Sequence, residues 1–191
     1  AMRNLIDKKD KFDICFGNDT DADRHGIVTP KSGLLNPNHY LSIAIWYLVQ
    51  NRPHWNKSSK IGKTIVSSSL IYRLAKYLNR GIYETPVGFK YFVDGLLKGR
   101  LCFAGEESAG ASFLRKDGTA WVTDKDGIIM CLLAAEICAA KEKDLGLIYN
   151  ELTDILGNPF YERIDTAVSA SLKNKLKHLS KNDISKDKLA G

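Results

Sequence analysis

Asp19-Thr20-Asp21-Ala22-Asp23 sets a carboxylate at every second position, and Arg24 follows directly. Alternate side chains of an extended backbone point the same way, so this spacing predicts three carboxylates converging on one point. Like charges held that close repel unless a cation sits among them. A hard divalent ion with oxygen ligands, Mg²⁺ above all, is the natural occupant. Arg24 adds a planar fork of donors suited to phosphate. The chemistry this predicts is metal-assisted work on a phosphate group. Two other readings stand beside it. One is a solvated acidic turn. The other is a helix–loop–helix calcium loop, which wants Gly at its sixth position and Glu at its twelfth, where this chain has Arg24 and Pro30.

Two further segments could share such a site. Gly105-Glu106-Glu107-Ser108-Ala109-Gly110 brackets a tight loop between glycines. Glu106 can accept hydrogen bonds from a pair of adjacent hydroxyls, and Ser108 can donate or accept, which is what a sugar requires. Gly88-Phe89-Lys90 adds a cation. Taken singly, these are also a Glu-rich surface turn and a solvated lysine. Their joint occurrence is more specific than any one of them.

These residues must be delivered by regular elements. Phe12 to Phe16 alternates and is rich in aromatic and β-branched side chains, so it reads as a strand running into the Asp triplet. Ile27-Val28-Thr29 reads as its return strand, with a turn from Pro30 to Gly33. Asn36-Pro37-Asn38 starts a helix whose Tyr40, Ile43, Ala44, Tyr47 and Leu48 fall at helical spacing, and Pro53 ends it. Lys63 to Ser67 reads as a short buried strand, and Leu70 to Leu78 as a helix stopped by Asn79-Arg80-Gly81, with Gly81 as the residue past its end. Ile82 to Val87 is a strand closed by Gly88, Phe89 to Leu97 a helix, and Leu101 to Ala104 a strand. Ile128 to Ala140 reads as a buried helix capped by Asp124 or Asp126. Strands alternating with helices predict an α/β fold: a mixed, mostly parallel sheet with helices on both faces. In such sheets ligands bind at the carboxyl ends of the strands, where all three loops fall.

The 191 residues suffice for one domain and part of another. The net charge of +6 suits anionic ligands, but much of the excess lies in Lys173, Lys175, Lys177, Lys181, Lys186 and Lys188. No aromatic residues interleave with these lysines, so they read as a solvated stretch and no nucleic-acid partner is expected. Cys15, Cys102, Cys131 and Cys138 form no Cys-x-x-Cys pair and sit among apolar neighbours, as buried thiols of a reducing compartment do. No signal peptide opens the chain and no apolar run reaches the ~18 residues of a membrane span, so a cytoplasmic location without a membrane partner is expected. The Ala1-Met2 start suggests a chain excised from something longer.

Gly17-Asn18-Asp19-Thr20-Asp21-Ala22-Asp23-Arg24-His25-Gly26 resembles the metal-binding loop of the α-D-phosphohexomutase superfamily. Pro86-Val87-Gly88-Phe89-Lys90 and Gly105 to Gly110 resemble its third-domain loops, in the right order. Lys125-Asp126-Gly127 before an apolar helix is similar to that family too. The likeness runs through nearly the whole chain and is greatest to the bacterial branch acting on α-D-glucose phosphates. It implies residues 1–34 as the end of domain 2, 35–157 as domain 3, and 158–191 as a linker and the start of domain 4.

The resemblance implies an enzyme that interconverts glucose 1-phosphate and glucose 6-phosphate through a phosphoserine and glucose 1,6-bisphosphate. Asp19, Asp21 and Asp23 would ligate Mg²⁺, and Arg24 would contact the moving phosphoryl group. Glu106, Ser108, His25 and Gly88 would bind substrate. Lys90 would serve as acid or base, or by its charge alone, and His25 would face the substrate or pack the loop. The mannose- and glucosamine-phosphate branches, and a non-catalytic sugar-phosphate module, are the alternatives. The family's nucleophile motif, close to Thr-Ala-Ser-His-Asn, is absent, and Ser67-Ser68-Ser69 has no flanking His. The resemblance therefore implies a central piece whose partners are the missing domains of the same parent chain.

Overall fold

Two sheets, one antiparallel and one mostly parallel, carry the chain in a computed structural model that describes residues 2–162 and 164–183. Two units are present, Ala1–Pro159 and Phe160–Gly191. In the first unit a short helix α1 (Arg3–Ile6) and a 3₁₀ turn (Lys9–Lys11) precede strands β1 (Cys15–Asn18), β2 (His25–Thr29) and β3 (Gly33–Leu34). These form an antiparallel sheet with Cys15 opposite Val28 and Asn18 opposite His25. Helix α2 (Pro37–Asn51) leads to β4 (Lys60–Thr64), α3 (Leu70–Tyr77), β5 (Ile82–Thr85), a 3₁₀ turn (Phe89–Tyr91), α4 (Val93–Leu97), β6 (Leu101–Glu106) and β7 (Gly110–Phe113). Helices α5 (Gly127–Lys141) and α6 (Leu145–Leu156) complete the unit.

The second sheet has the order β5-β4-β6-β7; β4 pairs parallel with β5 and β6, and β7 is antiparallel to β6. Helices cover both faces. Phe89, Phe92 and Leu96 pack on Leu101 and Ala104 from one side. The larger core on the other side joins α2, α3, α5 and α6 to Ile61, Cys102 and Phe103. A slip in register lets β6 serve both cores. Lys60 pairs with Leu101 but Ile61 pairs with Phe103, so Cys102 is an extra, bulged residue. Gly62 is required by the packing on α4, since a Cβ there would lie 2.9 Å from the Phe92 ring.

Local chemistry explains most element boundaries. Asn36 caps α2 by accepting from the Asn38 amide, with Pro37 in the first turn. Asp126, rather than Asp124, caps α5, accepting from the Ile128 and Ile129 amides. Tyr40 is fully buried and donates its hydroxyl to the Met130 carbonyl at 2.6 Å, tying α2 to α5. Arg52, also buried, pairs with Glu136 at 3.0 Å.

Several expectations are corrected. The strand placed at Lys63 to Ser67 starts at Lys60 and ends at Thr64; Ile65 and Val66 are exposed in the loop beyond it. A two-residue apolar run does not reveal which side of a strand end it occupies. Helix α3 is closed by Asn79 in the left-handed region (φ 53°), not by Gly81. Phe89 to Leu97 divides into a 3₁₀ turn and a short helix. Helix α5 is not buried all round: Ile128 and Leu132, four residues apart on one face, are exposed. Strands β3 and β7 and helix α6 were not foreseen.

The second unit holds helix α7 (Ala170–Lys177), capped by Ser169. Its Lys173, Lys175 and Lys177 are exposed. Lys186 and Lys188 lie outside the described residues.

Asp144 caps α6 and at once anchors the turn after β2. Its Oδ1 accepts from the Gly146 amide (2.9 Å), the Thr29 hydroxyl (3.0 Å) and the Ser32 hydroxyl (3.0 Å), and its Oδ2 from the Lys31 amide (3.0 Å). Asp144→Ala removes the cap and leaves the buried Thr29 hydroxyl proton without an acceptor, so a loss of about 2–4 kcal/mol is expected in urea unfolding.

Candidate functional site

The aspartate loop is the tip of the β1–β2 hairpin. The Ala22 amide bonds back to the Asp19 carbonyl at 3.0 Å, and Ala22 has a φ of 56°. The backbone therefore turns where an extended chain was expected, and the alternation that would make three side chains converge is lost. Among the described residues no group of three or more His, Cys, Asp or Glu side chains gathers at metal-ligand spacing. Asp19 and Asp23 do face a common cation, because Arg24 Nε lies 3.7 Å from a carboxylate oxygen of each. Asp21 is exposed on the turn.

Arg24 also joins the two sheets. It forms an isolated antiparallel bridge with Gly110, the first residue of β7, and the next amide, of His25, donates to the Ala109 carbonyl at 3.0 Å. The aspartate hairpin thus lies against the Gly105 to Gly110 turn through backbone hydrogen bonds. Lys125 completes the junction: its ammonium is 2.8 Å from Asp23 Oδ2 and 4.0 Å from Glu106 Oε2. The hydrogen bond from Lys125 holds the Asp23 carboxyl below the usual carboxylate range, and the same bond raises the Lys125 ammonium above its ordinary value.

Glycines permit this contact. A Cβ on Gly110 would meet the Lys125 side chain at 2.2 Å, and one on Gly127 would lie 2.4 Å from the Arg24 carbonyl oxygen. The Gly127 amide donates to the Ala22 carbonyl at 2.9 Å, and Asn18 Nδ2 to the Arg24 carbonyl at 2.9 Å. Helix α5 therefore starts on top of the aspartate hairpin.

Glu106 is the last residue of β6 and is buried. Its Oε1 accepts from the Gly88 amide at 3.0 Å, fixing the loop after β5, where Gly88 takes a φ of 134° that side chains rarely adopt. Glu107 braces the other side of the turn by accepting from the Thr64 hydroxyl at 2.8 Å. Ser108 sits half-buried on the turn. Lys90 is exposed, its ammonium 5.2 Å from the Tyr91 ring centroid. His25 is buried, set edge-on to Tyr40 with centroids 5.1 Å apart, and neither ring nitrogen has a hydrogen-bond partner. Burial alone lowers its pKa to about 4, so the ring is neutral near pH 7.

Residues 19–24, 88 and 106–110 are thus brought together by hydrogen bonds and by Lys125. Sequence reasoning did not give Lys125 a role, although Lys125-Asp126-Gly127 was a visible motif. Nor did it assign Glu107 or Asn18. A single lysine about a hundred positions from its carboxylate partner carries no local signal. The cysteines stand apart from this chemistry: all four are free, and burial pushes the thiols of Cys102, Cys131 and Cys138 up to about 11.

A sheet covered by helices on both faces, with the Gly88 and Glu106 loops leaving the carboxyl ends of its parallel strands, defines an open α/β domain of the kind that binds ligands at that edge. Comparison with known proteins makes this specific. The family model described as phosphoglucomutase/phosphomannomutase, alpha/beta/alpha domain III, matches residues 36–155, and the chain belongs to that family. It is 59% identical over 191 residues to a phosphoglucomutase of Komagataeibacter xylinus, covering all of this chain and 34% of that protein. It is 27% identical over 173 residues to phosphoglucomutase 1 of Drosophila melanogaster, covering 88% of this chain and 30% of that protein. The crystal structure of a Thermus thermophilus protein described as a phosphomannomutase superposes with a TM-score of 0.66 at 32% identity, covering 75% of this chain and 31% of that one. The chain spans about a third of the length of the relatives it matches.

Two outcomes check this geometry. Gly127→Ala drives a Cβ into the Arg24 carbonyl; α5 and the hairpin must separate, and a loss of about 1–3 kcal/mol is expected in chemical denaturation. For His25, the unfolded chain takes up a proton as pH falls below about 6.5, while the folded chain resists until about 4. Stability should therefore fall through that window, by up to about 3 kcal/mol. The melting temperature of wild type should fall more steeply between pH 7 and 4 than that of His25→Phe, which lacks the titrating ring.

Proposed function

We propose that this protein is the cleft-forming central part of a phosphoglucomutase that interconverts glucose 1-phosphate and glucose 6-phosphate through glucose 1,6-bisphosphate. The carrying observation is the joining of the aspartate hairpin to the Glu106 turn by the Arg24–Gly110 bridge and by Lys125. Carboxylates and an arginine suited to phosphate chemistry thus lie beside a glutamate suited to hydroxyls, which supports this reading. The identity to the Komagataeibacter enzyme over the whole chain supports the glucose assignment. Free thiols and the absence, among the described residues, of any helix long and apolar enough to cross a membrane accord with a cytoplasmic enzyme.

The donors fit a hard cation in kind, although the turn at Ala22 keeps the three carboxylates from converging among the described residues. Asp19, Asp21 and Asp23 offer only oxygens, and the buried Asp23 Oδ1 has no hydrogen-bond partner. These three would hold Mg²⁺, which when bound neutralises phosphoryl charge and orients the group for in-line transfer. Arg24, half-exposed beside them, would stabilise the equatorial oxygens of the moving phosphoryl group. Glu106 and Ser108 would accept and donate to the hexose hydroxyls in either orientation, with the Gly88 backbone held ready by Glu106. As the bond from phosphorus to the serine oxygen breaks and that to the sugar oxygen forms, the sugar hydroxyl loses its proton. Lys90 would receive that proton as a neutral amine, or as an ammonium stabilise the developing charge while the proton passes to solvent. His25 supports the loop by packing. The phosphorylated serine would come from the missing domains of the parent chain, since the sequence has no Thr-Ala-Ser-His-Asn segment.

A phosphomannomutase is the second reading, favoured by the Thermus likeness. The parent enzyme carrying Asp23→Asn, Glu106→Gln, Lys90→Ala or Lys90→Arg separates these roles. Assayed on glucose 1-phosphate, Asp23→Asn is expected to lower kcat by about 10²–10³-fold, and Glu106→Gln to act chiefly on KM. Lys90→Ala is expected to lower kcat by about 10²-fold, and Lys90→Arg to restore it only where charge suffices. The 191-residue chain alone should show no turnover. Wild-type kcat/KM in Glu106→Gln, or a preference of the parent for mannose 1-phosphate, would end the glucose reading.

A further inference from the structure

The opposite end of the four-stranded sheet carries a cavity of about 380 Å³ that the reading above does not use. It opens at the amino ends of β4 and β6, beside Lys60 and Leu101, whereas the loops of the candidate site leave the carboxyl ends. Lys60, Lys98 and Arg100 line it together with Asp94, Tyr83 and Tyr91. Asp94 is paired with both Lys98 and Arg100, so one carboxylate is shared by two cations. Lys60 is exposed and has no carboxylate partner among the described residues. A surplus of positive charge therefore faces the cavity. The two tyrosines, each partly exposed, add aromatic surface. The volume is that of a small-molecule pocket.

We propose that this cavity is a second binding site, for a phosphate ester carried on a ring, and that its occupancy is transmitted to Lys90. The phosphate lies between Lys60 and Arg100, whose guanidinium exchanges Asp94 for the doubly charged ester. The ring lies on Tyr83 and Tyr91, where a nucleobase stacks by its face and a sugar by its C–H edges. Inorganic phosphate lacks that half of the contact and binds more weakly.

Transmission follows from Tyr91. The ring that lines the cavity carries the Lys90 ammonium 5.2 Å from its centroid. It also lies against Gly88, where a Cβ would be 3.5 Å from Tyr91 Cε2. Gly88 is in turn held by Glu106. A ligand that repositions Tyr91 moves the Gly88–Lys90 segment with it. This coupling rests on the reading of Lys90 as a cleft residue; binding in the cavity does not.

The test is an amide NMR titration of the 191-residue chain with ADP, glucose 1,6-bisphosphate and inorganic phosphate, on wild type and on Lys60→Glu, Tyr83→Ala and Glu106→Gln. At least one ring-bearing phosphate is expected to shift the Tyr83, Gly99 and Arg100 amides and to bind about tenfold or more tighter than inorganic phosphate. Lys60→Glu and Tyr83→Ala should each weaken it by about tenfold, with the remaining spectrum intact, and Glu106→Gln should leave it unchanged. A response to ADP alone marks a nucleotide site, and one to the bisphosphate alone a sugar-phosphate site; both support the proposal. No shift at these amides, equal affinity for inorganic phosphate, wild-type binding in both cavity variants, or loss in Glu106→Gln would overturn it. Shifts at the cavity without shifts at Gly88 and Lys90 would overturn the transmission. The mutase reading fails separately, in turnover of the parent enzyme, which this titration does not use.

Discussion

One ammonium group holds the candidate site together. Lys125 reaches Asp23 on the hairpin and approaches Glu106 on the neighbouring sheet. Without a cation between them, two carboxylates from different sheets would repel, and the hairpin would lose the pressure that seats it on β7. With it, the Arg24–Gly110 bridge and the His25–Ala109 hydrogen bond close over the same junction. The contact is partly shielded from water, where an ion pair retains more of its strength than on an open surface. The absence of side chains at Gly110 and Gly127 is the steric condition for it.

Around this junction, each loop is fixed by a neighbour rather than by itself. Glu106 holds Gly88, Glu107 is held by Thr64, and Asp126 starts the helix whose Gly127 amide grips the hairpin. Loops braced in this way keep Asp23, Gly88 and Glu106 at fixed separation, as the proposed function requires. That is the pre-organisation on which transfer chemistry depends. The family model covers residues 36–155, so Gly88, Glu106 and Lys125 belong to domain III while the aspartate hairpin precedes the matched region.

The sheet also connects its two ends. Its strands are short, so the 3₁₀ turn Phe89–Tyr91 lies within reach of both the carboxyl-end loops and the cavity beside α4. Phe89 and Phe92 anchor the segment in the smaller core, while Lys90 and Tyr91 point outward. The Tyr91 ring, which lines the cavity, lies against both the Lys90 ammonium and Gly88, so this one side chain touches the segment that Glu106 holds.

The alternating strands and helices, the caps at Asn36 and Asp126, and the three loops that face one another were legible in the chain, because periodicity, capping chemistry and glycine placement are local properties. The family was legible too, through motifs that are short and contiguous. Other features depended on distant partners. The turn at Ala22 undid the convergence expected of an extended Asp-x-Asp-x-Asp run; the bulge at Cys102, the swap of Gly81 for Asn79 at the end of α3, and the exposed face of α5 were equally invisible. Sequence alone determined the kind of fold and the family, and put forward side chains suited to phosphate chemistry. Only the tertiary structure decided that Lys125 would bind Asp23 and approach Glu106, because a charge selects its partner by distance in space, and residues far apart in the chain become neighbours only when the sheets and helices pack.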